Sequence, residues 1–362
     1  MGFKCGIIGL PNVGKSTLFN ALTKSEIPAE NFPFCTIDPN IGKVPLPDKR
    51  LIELNKIINT NKIIPASLDL VDIAGLVKGA SDGEGLGNSF LSNIREMTAL
   101  AHVVRCFEDE NITHVDGSVN PARDAEIINL ELIFSDLETV SKRIAKCEKL
   151  LKTNDKDNKL QLDVLMLLKK DLENGSLISL NDFGEEEQKI IKSFQLLSSK
   201  PSFFIGNMNE TEKSKKYIDE LNIFAEKNNS FVIPVSIKTE HEISVLEEEE
   251  KKEYLEILGI DEPVLNKIIF EGYKLLGLKT FFTAGPSEIR AWTIKNGFTA
   301  PNAAGVIHSD FERGFIKAEV IDFDDFIRNG GELGAKENGK LRLEGKDYLV
   351  KDGDVIHFKF NV

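Results

Sequence analysis

The chain has 362 residues, which is too long for one ordinary hydrophobic core, so two or three domains are expected. Apolar residues make up 41% and charged residues 28%, a composition typical of a water-soluble globular protein. The net charge of −13 argues against broad, non-specific binding to a nucleic-acid backbone, which requires a surplus of Lys and Arg. No apolar run approaches the roughly 18 residues needed to cross a bilayer, so we expect no membrane partner and a cytoplasmic location.

The first motif is a glycine-rich loop near the N-terminus. A short apolar run, Phe3 to Ile8, predicts a strand, and apolar residues at helical spacing after position 17 predict a helix. Between them, Gly9-Leu-Pro-Asn-Val-Gly-Lys-Ser16 fits the pattern G-x-x-x-x-G-K-S. This order of strand, loop and helix predicts the phosphate-binding loop of a P-loop nucleotide-binding domain.

The loop supplies most of the contacts expected for a nucleoside triphosphate. Its main-chain N–H groups are expected to wrap the phosphates, helped by the N-terminus of the following helix. Lys15 should reach the β- and γ-phosphates, and the Ser16 hydroxyl should ligate Mg²⁺. The residues predicted to contact the nucleotide here are Asn12, Val13, Gly14, Lys15, Ser16 and Thr17.

Two later segments complete the predicted nucleotide switch. Thr36 lies in the irregular stretch "NFPFCTIDPN" and is expected to contact Mg²⁺ and the γ-phosphate. The run "SLDLVD" predicts a strand that ends in Asp72-Ile-Ala-Gly75. We expect Asp72 to hold a metal-bound water and the N–H of Gly75 to sense the γ-phosphate.

These motifs, with "DIAGLVKGASDGEGLGNSF" and the C-terminal "RAWTIKNGFTAPNAAGVIHSDFERGFIKAEV", resemble the YchF branch of the Obg-like translation-factor NTPases. The resemblance covers almost the whole chain. It implies an α/β fold: a Ras-like P-loop domain with a mostly parallel sheet, an inserted helical hairpin, and a C-terminal β-grasp domain of the TGS type. It also implies hydrolysis of ATP in preference to GTP, and association with the ribosome or its large subunit.

The base-recognition turn departs from the guanine pattern. In many related switches a strand ends in Asn-Lys-x-Asp, whose Asp carboxylate pairs with guanine. Here "SFFIGNMNE" places Met208 at the Lys position and Glu210 at the Asp position. The longer Glu side chain cannot form the same pair of hydrogen bonds without shifting the base, and unpaired buried polar groups cost roughly 1–3 kcal/mol each. We therefore expect ATP to be preferred, with backbone groups near Asn207 and Met208 meeting adenine.

Hydrolysis requires a group that orients the attacking water. Leu76 occupies the position where many relatives have a Gln, and its side chain cannot do this. One candidate is Asn12, which resembles an Asn that helps to hold K⁺ in some relatives, although it could instead satisfy its own loop backbone. The other is His114, in a polar loop after the strand "AHVVRCF", because His is a capable acid or base near neutral pH. We predict His114 as the catalytic residue.

The region from about 121 to 198 reads as helical. Two stretches of apolar residues at three- and four-residue steps predict two antiparallel helices packed together. The first comprises Leu130, Ile133, Leu137, Val140, Ile144, Cys147 and Leu151, and the second Leu165, Leu168 and Leu172. The mixed Lys and Glu on the outer faces indicate either a solvated surface or a docking arm.

From about Leu278 the pattern changes to short strands, with a final hairpin predicted around Lys351-Asp-Gly-Asp354. The predicted domains are therefore 1–277, with the helical insertion, and 278–362, the TGS-like domain that could bind RNA. Three functions stay open: an ATPase switch, a GTPase of the same fold, and a binding module that senses nucleotide with negligible hydrolysis.

Overall fold

The computed structural model describes residues 3–24, 40–73, 85–150 and 156–361. Thr36, Gly75 and Leu76, and Leu151 of the predicted helical seam, lie outside these ranges. The contacts between Cα atoms group the chain into two compact units. Of the described residues, the first unit comprises 3–24, 40–42, 70–73, 85–150 and 156–261, and the second comprises 43–69 and 262–361.

The described residues alternate between strands and helices. The strands are β1 Lys4–Ile8, β2 Ile41–Pro45, β3 Ile63–Ile64, β4 Ser67–Asp72, β5 Ala99–Arg105, β6 Ser202–Asn207, β7 Val232–Val235, β8 Leu278–Ala284, β9 Ile289–Lys295, β10 Phe315–Ile321, β11 Arg342–Glu344 and β12 Val355–Phe360. The helices are α1 Lys15–Lys24, α2 Lys49–Ile58, α3 Gly85–Arg95, α4 Pro121–Leu150, α5 Lys156–Glu173, α6 Glu185–Phe194, α7 Glu212–Lys227, α8 Ile237–Ser244, α9 Glu248–Leu258, α10 Val264–Leu275, α11 Ala300–Ile307, α12 Ser309–Arg313, α13 Phe323–Arg328 and α14 Glu332–Glu337.

A six-stranded sheet has the strand order β2-β4-β1-β5-β6-β7. β1 pairs with β5, β5 with β6, and β6 with β7, all in parallel. Every residue of β5 is buried, as expected for a central strand that is covered on both faces. The carboxyl ends of β1, β5 and β6 therefore meet at one edge, where parallel α/β sheets bind ligands. The predicted α/β fold with a mostly parallel sheet is confirmed.

The inserted helices pack as the sequence predicts. The helices α4 and α5 are joined by five residues and share one core with α6. That core includes Ile133, Val140, Ile144 and Cys147 from α4, and Leu165, Leu168 and Leu172 from α5. Leu137 is partly buried against it. The helical hairpin of the predicted fold is therefore confirmed.

The second unit contains another six-stranded sheet, in the order β11-β10-β12-β8-β9-β3. Its core joins β8, β9, β10 and β12 to the helix α11, whose alanines allow close packing. Trp292 and Phe298 pack against this core, as predicted. The packing of this sheet on α11 agrees with the predicted β-grasp architecture.

The predicted final hairpin is wrong in its pairing. Gly353 does form the tight bend, with φ +90°. However, β12 pairs with β10 on one side and with β8 on the other, so the residues before the bend are not its partner. The long-range pairs are formed by strands far away in the sequence, which a local turn signal cannot reveal.

The domain boundary at 277/278 stays a prediction. The compact units follow a different division, because residues 43–69 and 262–277 cluster with the C-terminal strands. Within that unit, β3 pairs with β9 in parallel. Among the described residues, no helix is both long and apolar enough to cross a membrane.

Candidate functional site

The loop between β1 and α1 has the backbone of a phosphate-binding loop. Three residues adopt positive φ: Gly9 at +150°, Asn12 at +62° and Gly14 at +104°. This sequence of turns wraps the chain around the N-terminus of α1, which begins at Lys15. Unpaired N–H groups at such a helix start favour an anion. Asn12, Ser16 and Thr17 are exposed, as ligand-contacting residues of this loop must be.

Both glycines are required by their surroundings as well as by φ. A Cβ on Gly9 would lie 2.4 Å from the carbonyl oxygen of Val103, in the neighbouring strand β5. A Cβ on Gly14 would lie 2.8 Å from Nδ2 of Asn207. The loop therefore fits between the ends of β5 and β6 only because these two positions carry no side chain.

Lys15 is held at the loop. Its side chain is buried, and Nζ donates a hydrogen bond of 2.8 Å to the carbonyl oxygen of Leu10. Burial lowers the pKa of Lys15, and the carboxylate of Asp72 partly opposes that shift. The ammonium group thus lies inside the turn, where the predicted role requires a positive charge.

Ser16 and Asp72 lie together beside the loop, as the sequence predicts for metal ligands. The Ser16 hydroxyl donates to Oδ2 of Asp72 over 2.8 Å. The other carboxylate oxygen, Oδ1, is buried and has no hydrogen-bond partner among the described residues. A hydroxyl beside a carboxylate with one uncompensated oxygen is a donor set that Mg²⁺ prefers. These residues therefore fit the predicted metal.

The base-recognition turn is tied to the phosphate loop by Asn207. Its amide Nδ2 donates to the carbonyl oxygen of Val13 over 2.9 Å, and its Oδ1 accepts from the N–H of Ile237 over 3.3 Å. Asn207 therefore joins the loop, the end of β6 and the start of α8. Sequence reasoning placed Asn207 at the nucleotide, and the structure shows this second, architectural use of its side chain.

Two backbone groups near the predicted base site are already used in the sheet. The N–H of Met208 donates to the carbonyl oxygen of Val235 over 2.9 Å, and the carbonyl of Asn207 accepts from Cys106 over 2.7 Å. The Met208 side chain is half-buried and Glu210 is exposed. The predicted hydrogen bonds to adenine must therefore come from other backbone groups of this turn, while the thioether of Met208 can contact the ring.

His114 lies in the loop that follows β5, and a hydrogen bond joins this loop to the phosphate-binding loop. Nδ2 of Asn12 donates to the carbonyl oxygen of Thr113 over 3.3 Å. Asn12 is thus bonded to a residue 101 positions away, and the alternative that it satisfies its own loop is wrong. The contact brings the residue before His114 to the phosphate-binding turn.

The imidazole of His114 is fixed in place. Nδ1 accepts from the N–H of Asp116 over 3.1 Å, so the neutral ring carries its proton on Nε2. Nε2 lies 2.8 Å from Oδ2 of Asp124, and both side chains are buried. Arg123 donates to the other oxygen of Asp124 over 2.9 Å. The sequence predicted that a mobile loop carries His114, whereas the structure shows hydrogen bonds at both nitrogens of its ring.

Arg105 is a residue that sequence reasoning missed. Its buried guanidinium donates to three carbonyl oxygens of the loop, those of Phe107, Asp109 and Ile112, over 3.0–3.1 Å. It also lies 4.8 Å from the centre of the Phe107 ring. Arg105 thereby shapes the loop that carries His114. A buried Arg at the end of an apolar strand was the available signal, since such a group needs several acceptors.

The comparisons with known proteins agree with this geometry. Residues 4–136 match a family model described as "50S ribosome-binding GTPase", and residues 278–361 match the model YchF-GTPase_C, described as "Protein of unknown function (DUF933)". The proteins named "Ribosome-binding ATPase YchF" from Pasteurella multocida and Bacillus subtilis are 54% and 52% identical to this chain, each over the full length of both. The solved structure of the Schizosaccharomyces pombe YchF GTPase is 38% identical, covers 99% of this chain and 98% of its own, and has a TM-score of 0.90. The chain is a member of the YchF family.

Proposed function

We propose that this chain is an ATP-binding and ATP-hydrolysing switch that associates with the ribosome. The observation that carries the proposal is the joint placement of Lys15, the Ser16–Asp72 pair and Asn207 around one glycine-rich turn. The relatives named as ribosome-binding ATPases align with this chain over its full length and are identical to it at more than half of the positions. This similarity supports both ATP as the nucleotide and the ribosome as the partner.

The residues of the chain would divide the work as follows. The N–H groups of residues 12–17 bind the phosphates, and Lys15 offsets the negative charge of the β- and γ-phosphates. Ser16 and Asp72, with Thr36 from outside the described residues, would hold Mg²⁺, which supplies charge neutralisation when bound. The N–H of Gly75, also outside the described residues, is proposed to contact the γ-phosphate.

His114 is the proposed catalytic residue. In the described arrangement Nε2 carries the proton toward Asp124, and Nδ1 accepts from the N–H of Asp116. The ring must therefore leave Asp116 before Nδ1 can accept a proton from water, or leave Asp124 before its Nε2–H can orient the water. Because Thr113 is bonded to Asn12, the loop that carries His114 lies at the phosphate-binding turn, and its rearrangement would bring the imidazole toward the γ-phosphate. Asn12 is the residue that would contact K⁺ if that ion assists.

Adenine selection is proposed to depend on Met208 and Glu210. Glu210 is exposed, so its carboxylate would have to turn inward and lose water to meet guanine. A GTPase of the same fold is the second candidate, because the matched N-terminal family model and the yeast structure both carry the name GTPase. The TGS-like domain is proposed to contact RNA, and the protein is proposed to be located in the cytoplasm.

The test is ATP turnover by the full-length chain with Mg²⁺, measured with and without ribosomes. We expect ribosomes to raise turnover, and the variant Lys15→Ala to lose about 100-fold in ATP affinity, since charge-assisted hydrogen bonds to phosphate contribute about 1.5–3 kcal/mol each. No turnover with Mg²⁺, K⁺ and ribosomes all present would instead favour a nucleotide-sensing binding module. Normal ATP affinity in Lys15→Ala would contradict the assignment of the loop.

A further inference from the structure

A cavity of about 400 Å³ opens in the second unit, where two strands of its sheet separate. The strands β8 and β12 pair in parallel at Phe282 and Val355. Beyond that pair, β8 ends at Ala284 whereas β12 continues to Phe360, and both strand ends line the cavity. Its volume lies within the range of small-molecule binding sites, about 300–1,000 Å³.

One wall of the cavity is aromatic. The rings of Phe311 and Phe360 stack with their centres 3.8 Å apart. Trp292 is held by a hydrogen bond of 2.9 Å from its Nε1 to Oγ1 of Thr283, and the Arg290 guanidinium lies 4.0 Å from the centre of its ring. These fixed rings form a surface that suits the apolar body of a ligand.

Another part of the lining collects hydrogen-bond acceptors. Glu319 of β10 and His357 of β12 are cross-strand neighbours, and Glu332 is the first residue of α14. One oxygen or nitrogen atom from each of these three side chains lies within 4.8 Å of the other two. Two carboxylates so close together repel one another unless a positive charge lies near both.

The charge of the lining favours a cation. Its ionisable side chains are Glu288, Glu319, Glu332 and His357, with no Lys or Arg among the described lining residues. Glu288 is paired with Lys62 over 2.6 Å. Glu332 has no ion pair among the described residues, so the acceptor group retains an uncompensated carboxylate.

Two ammonium groups of the chain itself already approach the acceptors, and Nζ of Lys317 lies 3.9 Å from Oε1 of Glu319. Nζ of Lys359 lies 3.4 Å from Oε2 of Glu319 and 3.4 Å from Nδ1 of His357. Lys359 is not among the residues that line the cavity. Glu319 and His357 can therefore share one ammonium, and a ligand ammonium that also reached Glu332 would have to replace that of Lys359.

We propose that this cavity binds a primary ammonium group carried on an apolar body. An ammonium has three N–H donors, which match the three acceptors once the ligand displaces Lys359 from Glu319 and His357. Three hydrogen bonds of ordinary length from one tetrahedral nitrogen place their acceptors about 4.6 Å apart, which is compatible with the observed grouping. The aromatic wall would then contact the apolar body of the ligand, whereas a bare metal ion would make no use of that wall. Such a group occurs in free amines, polyamines and the lysine side chain of a partner protein.

The chain's single tryptophan, Trp292, lines the cavity and supplies the signal for a test. The full-length chain is titrated with hexylamine, and tryptophan fluorescence is followed to saturation. Hexan-1-ol, which lacks the charge, and methylammonium, which lacks the apolar body, are each expected to bind at least about tenfold more weakly, because each loses one of the two recognition elements. Equal binding of hexan-1-ol would overturn the proposal.

Two matched variants identify the acceptor group. Glu332→Gln is expected to weaken hexylamine binding about tenfold, the loss of one charge-assisted hydrogen bond. Glu337→Gln changes an exposed residue of the same helix outside the cavity and should leave the affinity unchanged. Far-UV circular dichroism checks that both variants are folded. An unchanged affinity in Glu332→Gln would refute the assignment.

Further titrations distinguish the source of the ammonium. Spermidine represents a free polyamine, and a short lysine-containing peptide with blocked ends represents a protein partner; the tighter of the two indicates the source. Zn²⁺ and Mn²⁺ are titrated alone as the competing chemistry. A saturable response to either metal that Glu332→Gln abolishes, with no response to hexylamine, would replace the amine site by a metal site.

Discussion

The phosphate-binding loop of the first unit and the cavity of the second unit are built in opposite ways. The loop is mainly backbone: positive φ at Gly9, Asn12 and Gly14 places N–H groups around a future anion. The cavity is mainly side chain, since rings and carboxylates from separate strands and helices define it. A backbone site is sensitive to added atoms, and a side-chain site to removed groups.

The largest effect is expected when one methyl group is added to the backbone of the phosphate-binding loop. Gly9→Ala should lower the free energy of unfolding by about 3 kcal/mol, because it combines an unfavourable φ with a Cβ placed 2.4 Å from the Val103 carbonyl oxygen. Chemical denaturation measures the change. Gly345→Ala, in the second unit, is the control: no heavy atom lies within 4 Å of its Cβ, so a change within about 0.5 kcal/mol is expected. Equal effects of the two substitutions would contradict the account.

A substitution in the loop after β5 tests the proposed catalytic role of the His114 side chain. His114→Ala is expected to reduce kcat for ATP about 100-fold, the usual loss when a general acid or base is removed. ATP affinity should stay within about twofold, since the ring nitrogens of His114 bond to Asp124 and Asp116.

The control for this measurement is His308→Ala, which removes an exposed imidazole of the second unit. It should leave both kcat and ATP affinity unchanged. Undiminished turnover in His114→Ala would remove that residue from the site.

A smaller effect is expected from a buried histidine beneath the loop. His102 in β5 is buried, and burial, with a further contribution from the charge of Lys15, lowers its pKa from 6.5 to about 3. His102 therefore binds a proton much more weakly in the folded state than in the unfolded chain. This contribution is intact above about pH 6.5 and is lost progressively as the pH falls toward 3.

Between pH 7 and pH 5, His102 alone should reduce the free energy of unfolding by about 2 kcal/mol. Urea denaturation at both pH values measures this, and His102→Gln should show a decrease that is smaller by the same amount. An identical pH dependence in the two proteins would show that His102 is not held neutral.

The features that the sequence could predict are those formed by residues that lie close together in the chain. The phosphate loop, the "GNMNE" turn and the apolar seam of α4 and α5 are encoded by residues close together in the chain, and local patterns predicted them. The tether between His114 and Asp124 and the clamp made by Arg105 depend on how one loop folds back onto itself. No periodicity or motif specifies such contacts.

The second unit was harder to predict for the same reason. The pairing of β12 with β8 joins strands separated by about 70 residues, and β3 joins the sheet from the N-terminal third of the chain. The acceptor group brings together Glu319, Glu332 and His357 from three elements. Each residue is unremarkable in the sequence, and only the folded strands place them side by side.

The central claim is that the glycine-rich turn grips a triphosphate while the Met208–Glu210 turn favours adenine over guanine. Its most direct test is a competition experiment in which ATP and GTP displace a fluorescent ATP analogue from the full-length chain in the presence of Mg²⁺. ATP is expected to bind at least about tenfold more tightly than GTP, corresponding to about 1.4 kcal/mol. Equal affinities, or tighter binding of GTP, would contradict it.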